Sequence, residues 1–161
     1  MKQQLITNKY LLAKSNIILF IGILIILGTG VLGRFFQLNM IPFSPYSNNI
    51  GGVIALGGLL FHFYCHRAHK QSPKRSEQIE KIIQTGIYQK VRHPMYLGLI
   101  FTFFGLAILF GIVLAIIPAI VFSVLAIIIA LKEEEFLLNK FGREYEEYMR
   151  KVPWRFIPKI F

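Results

Sequence analysis

Two short stretches hold most of the side chains able to do chemistry. Residues 86–98 read GIYQKVRHPMYLG and gather Arg92, His93 and Tyr96 around a proline. Pro94 has no N–H and fixes its own φ, so it suits the first turn of a helix. It also pushes His93 toward an extended conformation. The chain therefore makes a defined corner carrying three polar groups. The second stretch begins at Lys132 and opens with Glu133, Glu134 and Glu135. Three adjacent carboxylates at a helix C-terminus oppose the macrodipole, which favours cations there. They call for cationic partners: basic residues of the chain itself, or a cationic ligand. The corner also has a plainer reading as an interfacial anchor, with Arg92 snorkelling and Tyr96 in an aromatic belt.

Other chemistry is thinly represented. His62, His66 and His69 are spaced i, i+4, i+7 and share a helix face. Imidazoles so placed could ligate a metal. Cys65 lies on a different face and no carboxylate has ligand spacing, so no metal is expected. Cys65 is the single cysteine and forms no intrachain disulfide. The sequence has no Gly-rich phosphate loop, no Ser-His-Asp constellation, no CxxC and no soluble dinucleotide fingerprint.

The elements that must position the two stretches are apolar. Between Arg92 and Lys132 lie 39 consecutive residues without a charged side chain. As one helix they would run about 58 Å at 1.5 Å per residue, nearly twice the roughly 30 Å of a bilayer core. The segment must fold back, and the turn is expected near Phe110–Ile112, around Gly111. A hairpin closed at that end leaves its open ends adjacent, which brings the corner and the glutamates together. Upstream, Ser15 to Gly33 is another uncharged run. A secretory signal is the rival reading, but the run is long and no small-x-small cleavage site follows. Arg34 to Asn49 reads as a loop rich in turn formers. Ile50 to about Cys65 is apolar and Gly-rich, a pattern that lets membrane helices approach closely. Arg67 to Arg92 is a basic loop with one short helix. Past Lys132 the last helix is expected to run on until Gly142 breaks it, and residues 143–151 form a short helix stopped by Pro153.

Composition agrees. Of 161 residues 55% are hydrophobic and 16% charged, well below the roughly 25% charged of soluble domains. An ordinary soluble domain, a disordered chain and a disulfide scaffold are excluded. Net charge is +10, from 18 Lys and Arg against 8 Glu and no Asp. With this hydropathy the basic balance points to a membrane surface and away from nucleic acid. The segments before the first span, between spans two and three, and after span four carry 3, 7 and 7 Lys or Arg, and the opposite side only Arg34. The positive-inside rule then puts both termini, the basic loop and the C-terminal stretch in the cytoplasm. The expected fold is all-α: a polytopic membrane helical bundle of about four transmembrane helices with a cytoplasmic helical tail.

Both stretches together resemble the isoprenylcysteine carboxyl methyltransferase family. The shared pattern is G-x-Y-x-x-x-R-H-P-x-Y-x-G, then E-E-x-x-L-x-x-x-F-G-x-x-Y-x-x-Y, then V-P and a final Pro, carried here by residues 85–98 and 133–158. The resemblance covers about residues 50–161, a methyltransferase-like membrane domain; residues 1–49, with the first span and its loop, fall outside it. It implies S-adenosylmethionine as methyl donor, bound at the cytoplasmic side. Carried over position by position, His93, Pro94, Tyr96 and Gly98 match the first cofactor motif, and Glu133 and Glu134 match the paired glutamates. Glu135 falls outside that register. Arg92 and Glu134 are the expected catalytic pair. The cofactor's sulfonium and ammonium suit carboxylates, and its carboxylate suits Arg92 or the His93 region. The sequence departs from the pattern at Lys151, where an Arg is common before Val-Pro. The resemblance further implies a lipid-like or prenylated substrate, and its compactness is that of prokaryotic relatives in a bacterial or archaeal inner membrane. Phospholipid N-methyltransferases share the paired Glu and the cofactor. Sterol reductases share an Arg-His-x-x-Tyr segment with a reduced nicotinamide. A non-enzymatic membrane protein is the remaining class.

Overall fold

The computed structural model describes residues 15–68 and 81–160. Among them are five α-helices, two short 3-10 turns and no strand beyond one isolated bridge. The helices are α1 (Ser15–Phe35), α2 (Tyr46–Ala68), α3 (Pro94–Phe110), α4 (Ile116–Phe141) and α5 (Arg143–Lys151). Helix α3 is the centre: α2 packs along it most extensively, α4 folds back on it, and α1 lies against both arms of that hairpin.

The expectation of four spans is met only in part. Tyr46–Arg67 and Val113–Phe141 are long and apolar enough to cross a membrane; Leu19–Phe35 and Pro94–Phe110 are shorter apolar stretches. Helix α3 is held to 17 residues by Pro94 at its start and by Gly111 at its end. Gly111 adopts φ 67°, which favours a residue without a Cβ. The fold-back falls at the expected place, and loop backbone covers it. Ile41 N–H donates to the Gly111 carbonyl (2.6 Å) and Val113 N–H to that of Asn39 (3.0 Å). These bonds satisfy the polar groups that a turn at membrane depth would otherwise leave open. Helix α2 starts at Tyr46, four residues before the apolar run, because Ser47, Asn48 and Asn49 form its first turn.

Two of the four glycines of α2, Gly51 and Gly58, make the close approach expected of them. A Cβ on Gly58 would lie 2.7 Å from the Gly98 carbonyl oxygen and from the Thr102 nitrogen, and one on Gly98 would lie 2.8 Å from the Gly58 carbonyl. The two backbones touch, as small residues allow. The core combines Leu99, Phe103 and Ala107 of α3 with Ala119, Ala126 and Ala130 of α4 and Ile26 of α1. Outward, Phe20, Leu24 and Leu32 of α1, Val53, Leu56 and Leu60 of α2, and Ile117, Val121 and Val124 of α4 are exposed. So much apolar surface on every long helix is the property of a membrane protein, with lipid as its solvent.

Helix α4 runs past its apolar part into KEEEFLLNKF and stops at Gly142, whose φ is 53°. Helix α5 then begins as expected, with Glu144 and Glu146 in its first turn and Arg150 and Lys151 in its last, each sign matched to the dipole. Residues 69–80 of the basic loop, with His69 among them, lie outside the described residues; residues 86–89 form a 3-10 turn.

Candidate functional site

The corner forms as its sequence dictates. Pro94 is the first residue of α3, and His93, at φ −125° and ψ 51°, precedes it. The φ is extended; the ψ stops short of the extended range. What the sequence leaves open is where the polar groups go. Arg92, His93 and Glu134 are all buried, with 8%, 5% and 7% of their surface exposed. Arg92 Nε donates to Glu134 Oε1 at 2.7 Å, and His93 Nε2 lies 3.0 Å from the same oxygen. Tyr96 donates its hydroxyl to Glu133 Oε2 at 2.9 Å. The hairpin thus joins the two stretches, 37 to 42 residues apart. The interfacial-anchor reading of Arg92 and Tyr96 does not hold: neither side chain reaches outward.

The three glutamates have different fates. Glu134 is held on both oxygens, because Arg155 Nε donates to Oε2 at 3.0 Å. Glu133, half-buried, takes the Tyr96 hydroxyl. Glu135 pairs with Lys132 at 2.9 Å, one helical turn away on the partly exposed face. Glu135 thus differs from the other two in its contacts. Gly98 faces the Gly58–His62 backbone of α2 and takes no place in the polar cluster. Lys151 and Arg150 are exposed on α5.

The segment after α5 supplies what sequence reasoning missed. It crosses the corner and pairs with it: Arg92 N–H donates to the Trp154 carbonyl (2.9 Å) and His93 N–H to that of Arg155 (2.7 Å). Arg92 Nη1 donates to the Val152 carbonyl at 2.7 Å. Phe156 is buried with its ring 5.8 Å from the His93 ring. The signal was present in V-P-W-R-F: a proline that ends a helix, followed by an Arg between two aromatics. Beneath this segment Tyr145, Tyr148 and Val152 form a second small core. Tyr148 donates its hydroxyl to the Tyr88 carbonyl at 2.8 Å. Burial pushes the Tyr148 hydroxyl up to about 12, and burial with the nearby Glu134 and Glu133 charges pushes that of Tyr145 well up. Both stay protonated at neutral pH; Tyr148 serves as a fixed donor and Tyr145 as a packing group.

Of the histidines, His62 Nδ1 lies 3.0 Å from the Met95 carbonyl and its ring is 6.3 Å from that of His66. That bond ties α2 to the first turn of α3. Among the described residues no group of three or more His, Cys, Asp or Glu is arranged to hold a metal ion.

A chain of this architecture, with two helices long and apolar enough to cross a membrane and a charged cluster at the open end of an apolar hairpin, is a helical membrane protein. Residues 50–144 match the phospholipid methyltransferase family, and the chain belongs to that family. It is 32% identical over 127 residues to a protein-S-isoprenylcysteine O-methyltransferase of Schizosaccharomyces pombe, across 73% of this chain and 52% of the relative. It is 34% identical over 83 residues to protein-S-isoprenylcysteine O-methyltransferase B of Arabidopsis thaliana, across 49% and 41%. It is also 30% identical over 162 residues to a Delta(14)-sterol reductase of Saccharomyces cerevisiae, across 83% and 37%. The chain spans about half the length of these relatives or less.

Proposed function

We propose that the protein is an S-adenosylmethionine-dependent methyltransferase of the membrane, acting on a lipid-borne substrate at the cytoplasmic face. The observation that carries this reading is the junction of the Arg92–Tyr96 corner with Glu133 and Glu134 at one end of the α3–α4 hairpin. Family membership supports the reaction class.

The donor set fits the cofactor. Glu133, anchored by Tyr96 and half-buried, is placed to meet a sulfonium or ammonium. Arg155, about a third exposed, is engaged with Glu134. His93 and Pro94 fix the corner that carries Tyr96. Arg92 and Glu134 are spent on one another, so their part is to hold the site together and not to touch the reacting atoms. When bound, the cofactor would supply an electrophilic methyl group. The chain's residues bind, orient and exclude water, which suffices for a direct displacement. No covalent bond to the enzyme is required. A carboxylate acceptor arrives ionised, whereas an amine or thiol must first lose a proton. The exposed apolar faces of α1, α2 and α4 support delivery from the bilayer, with the acceptor's tail left in lipid.

A reductase reading has the sterol reductase match in its favour. The same experiment separates the two. Thermal melts of detergent-solubilised protein should rise with S-adenosylmethionine, by the equivalent of about 2.7 kcal/mol at 100 times its dissociation constant. Labelled methyl groups should then pass to a membrane lipid extract. A rise with reduced nicotinamide alone would sink the methyltransferase reading, since paired glutamates suit a sulfonium and repel an anionic dinucleotide.

A further inference from the structure

The five residues after α5, late in the second polar stretch, complete this site. The family match ends at residue 144, so they lie beyond it. Two backbone hydrogen bonds lay them on Arg92 and His93, a third bond ties Arg92 to Val152, and Phe156 closes over the His93 ring. Arg155 then reaches Glu134 from the opposite side to Arg92: Arg92 Nε takes Oε1, and Arg155 Nε takes Oε2. A carboxylate held on both oxygens by guanidinium groups cannot rotate, and its charge is matched. Glu133, one residue earlier, shares that stretch of helix backbone, so whatever fixes Glu134 fixes Glu133 as well.

We propose that Arg155 is a positioning residue of the site: it clamps Glu134 and thereby sets Glu133, with Tyr96 as anchor, as the carboxylate that receives the cationic part of the ligand. The proposal rests on the methyltransferase reading above, and it assigns the two glutamates unequal parts. Arg155 acts through Glu134, so its effect must vanish when Glu134 can no longer be clamped.

That dependence is the test. S-Adenosylmethionine is titrated calorimetrically into the wild type, Arg155→Lys, Arg155→Gln, Glu134→Gln and the Arg155→Gln/Glu134→Gln double variant. Arg155→Gln should bind about tenfold more weakly, the size of one charge-assisted hydrogen bond. Arg155→Lys should fall in between, because it keeps the charge without the fixed fork. In the Glu134→Gln background the Arg155→Gln change should cost no more than about twofold, as coupled groups do. An equal loss in both backgrounds, or unchanged affinity in Arg155→Gln, overturns the proposal. Should Arg155→Gln not fold, Arg155→Lys carries the same cycle. Trp154 is the only tryptophan and sits in the crossing segment, so its emission reports docking without any ligand. Arg155→Gln and Glu134→Gln should both shift it to longer wavelength. If the wild type binds no cofactor, the methyltransferase reading falls, and unshifted emission in both variants would separately overturn the Arg155–Glu134 clamp.

Discussion

At the scale of single residues, three neighbouring glutamates separate by what each one touches. Glu134 is buried between Arg92, His93 and Arg155; Glu133 takes one hydroxyl; Glu135 shares a partly exposed pair with Lys132. Removing one partner of a buried ion pair typically costs about 3–5 kcal/mol, and a glutamine keeps one acceptor. Glu134→Gln should therefore lower thermal stability by roughly 3 kcal/mol. Glu133→Gln should leave the melt nearly unchanged and weaken cofactor binding by roughly 1.5–3 kcal/mol. Glu135→Gln should shift either by no more than about 0.5 kcal/mol. Melts and calorimetry on the three variants would decide, and identical behaviour would refute the division of roles. The resemblance set Glu135 outside the register of the paired glutamates, while the run of three by itself distinguishes none of them. The split between Glu133 and Glu134 was not legible in the sequence. It depends on Arg155, which meets Glu134 only because residues 154 and 155 pair with residues 92 and 93. No local pattern encodes a contact between backbones some sixty residues apart.

At the scale of elements, the helix ends were readable because single residues set them. Pro94 starts α3, Gly111 turns the chain, Gly142 separates α4 from α5, and all act through their own backbone. The start of α2 was less legible, because Ser47, Asn48 and Asn49 are turn formers that here serve in a first helical turn. The glycines of α2 announced a close approach without saying which of them makes it. Gly58 meets α3 backbone, while Gly57 has nothing within 4 Å of an added Cβ. Gly58→Ala should therefore push α2 off α3 and destabilise by about 1–3 kcal/mol. Gly57→Ala should be neutral or stabilise by up to about 1 kcal/mol through helix propensity. Melts of the two variants in one detergent compare them directly, and equal destabilisation would contradict the packing. The same α2–α3 contact carries His62 to the Met95 carbonyl, so a shift there would reach the corner that holds Arg92.

At the scale of the whole molecule, the two ends of the bundle differ in kind. One end carries the Gly111 turn and the loop paired with it, bonded through Ile41 and Asn39, and Arg34 is its only Lys or Arg. The other end carries the corner, the glutamates, α5 and the crossing segment. The segments assigned to that end hold 17 of the 18 Lys and Arg, as 3, 7 and 7. Basic residues near membrane helices stay on the cytoplasmic side, so the polar cluster should face the cytoplasm, with both termini on the same side. That orientation requires α1 and α3 to cross as well. Helix α3 has 17 residues, the lower limit for a span of about 17–25, and the buried turn at its far end lets it do so without exposing backbone to lipid. Reporter fusions at Tyr46 and after Phe161 test this. The fusion after Phe161 should report cytoplasm and the fusion at Tyr46 the opposite side. A cytoplasmic report from Tyr46 would mean that α1 does not cross, and would leave the charge asymmetry without its cause.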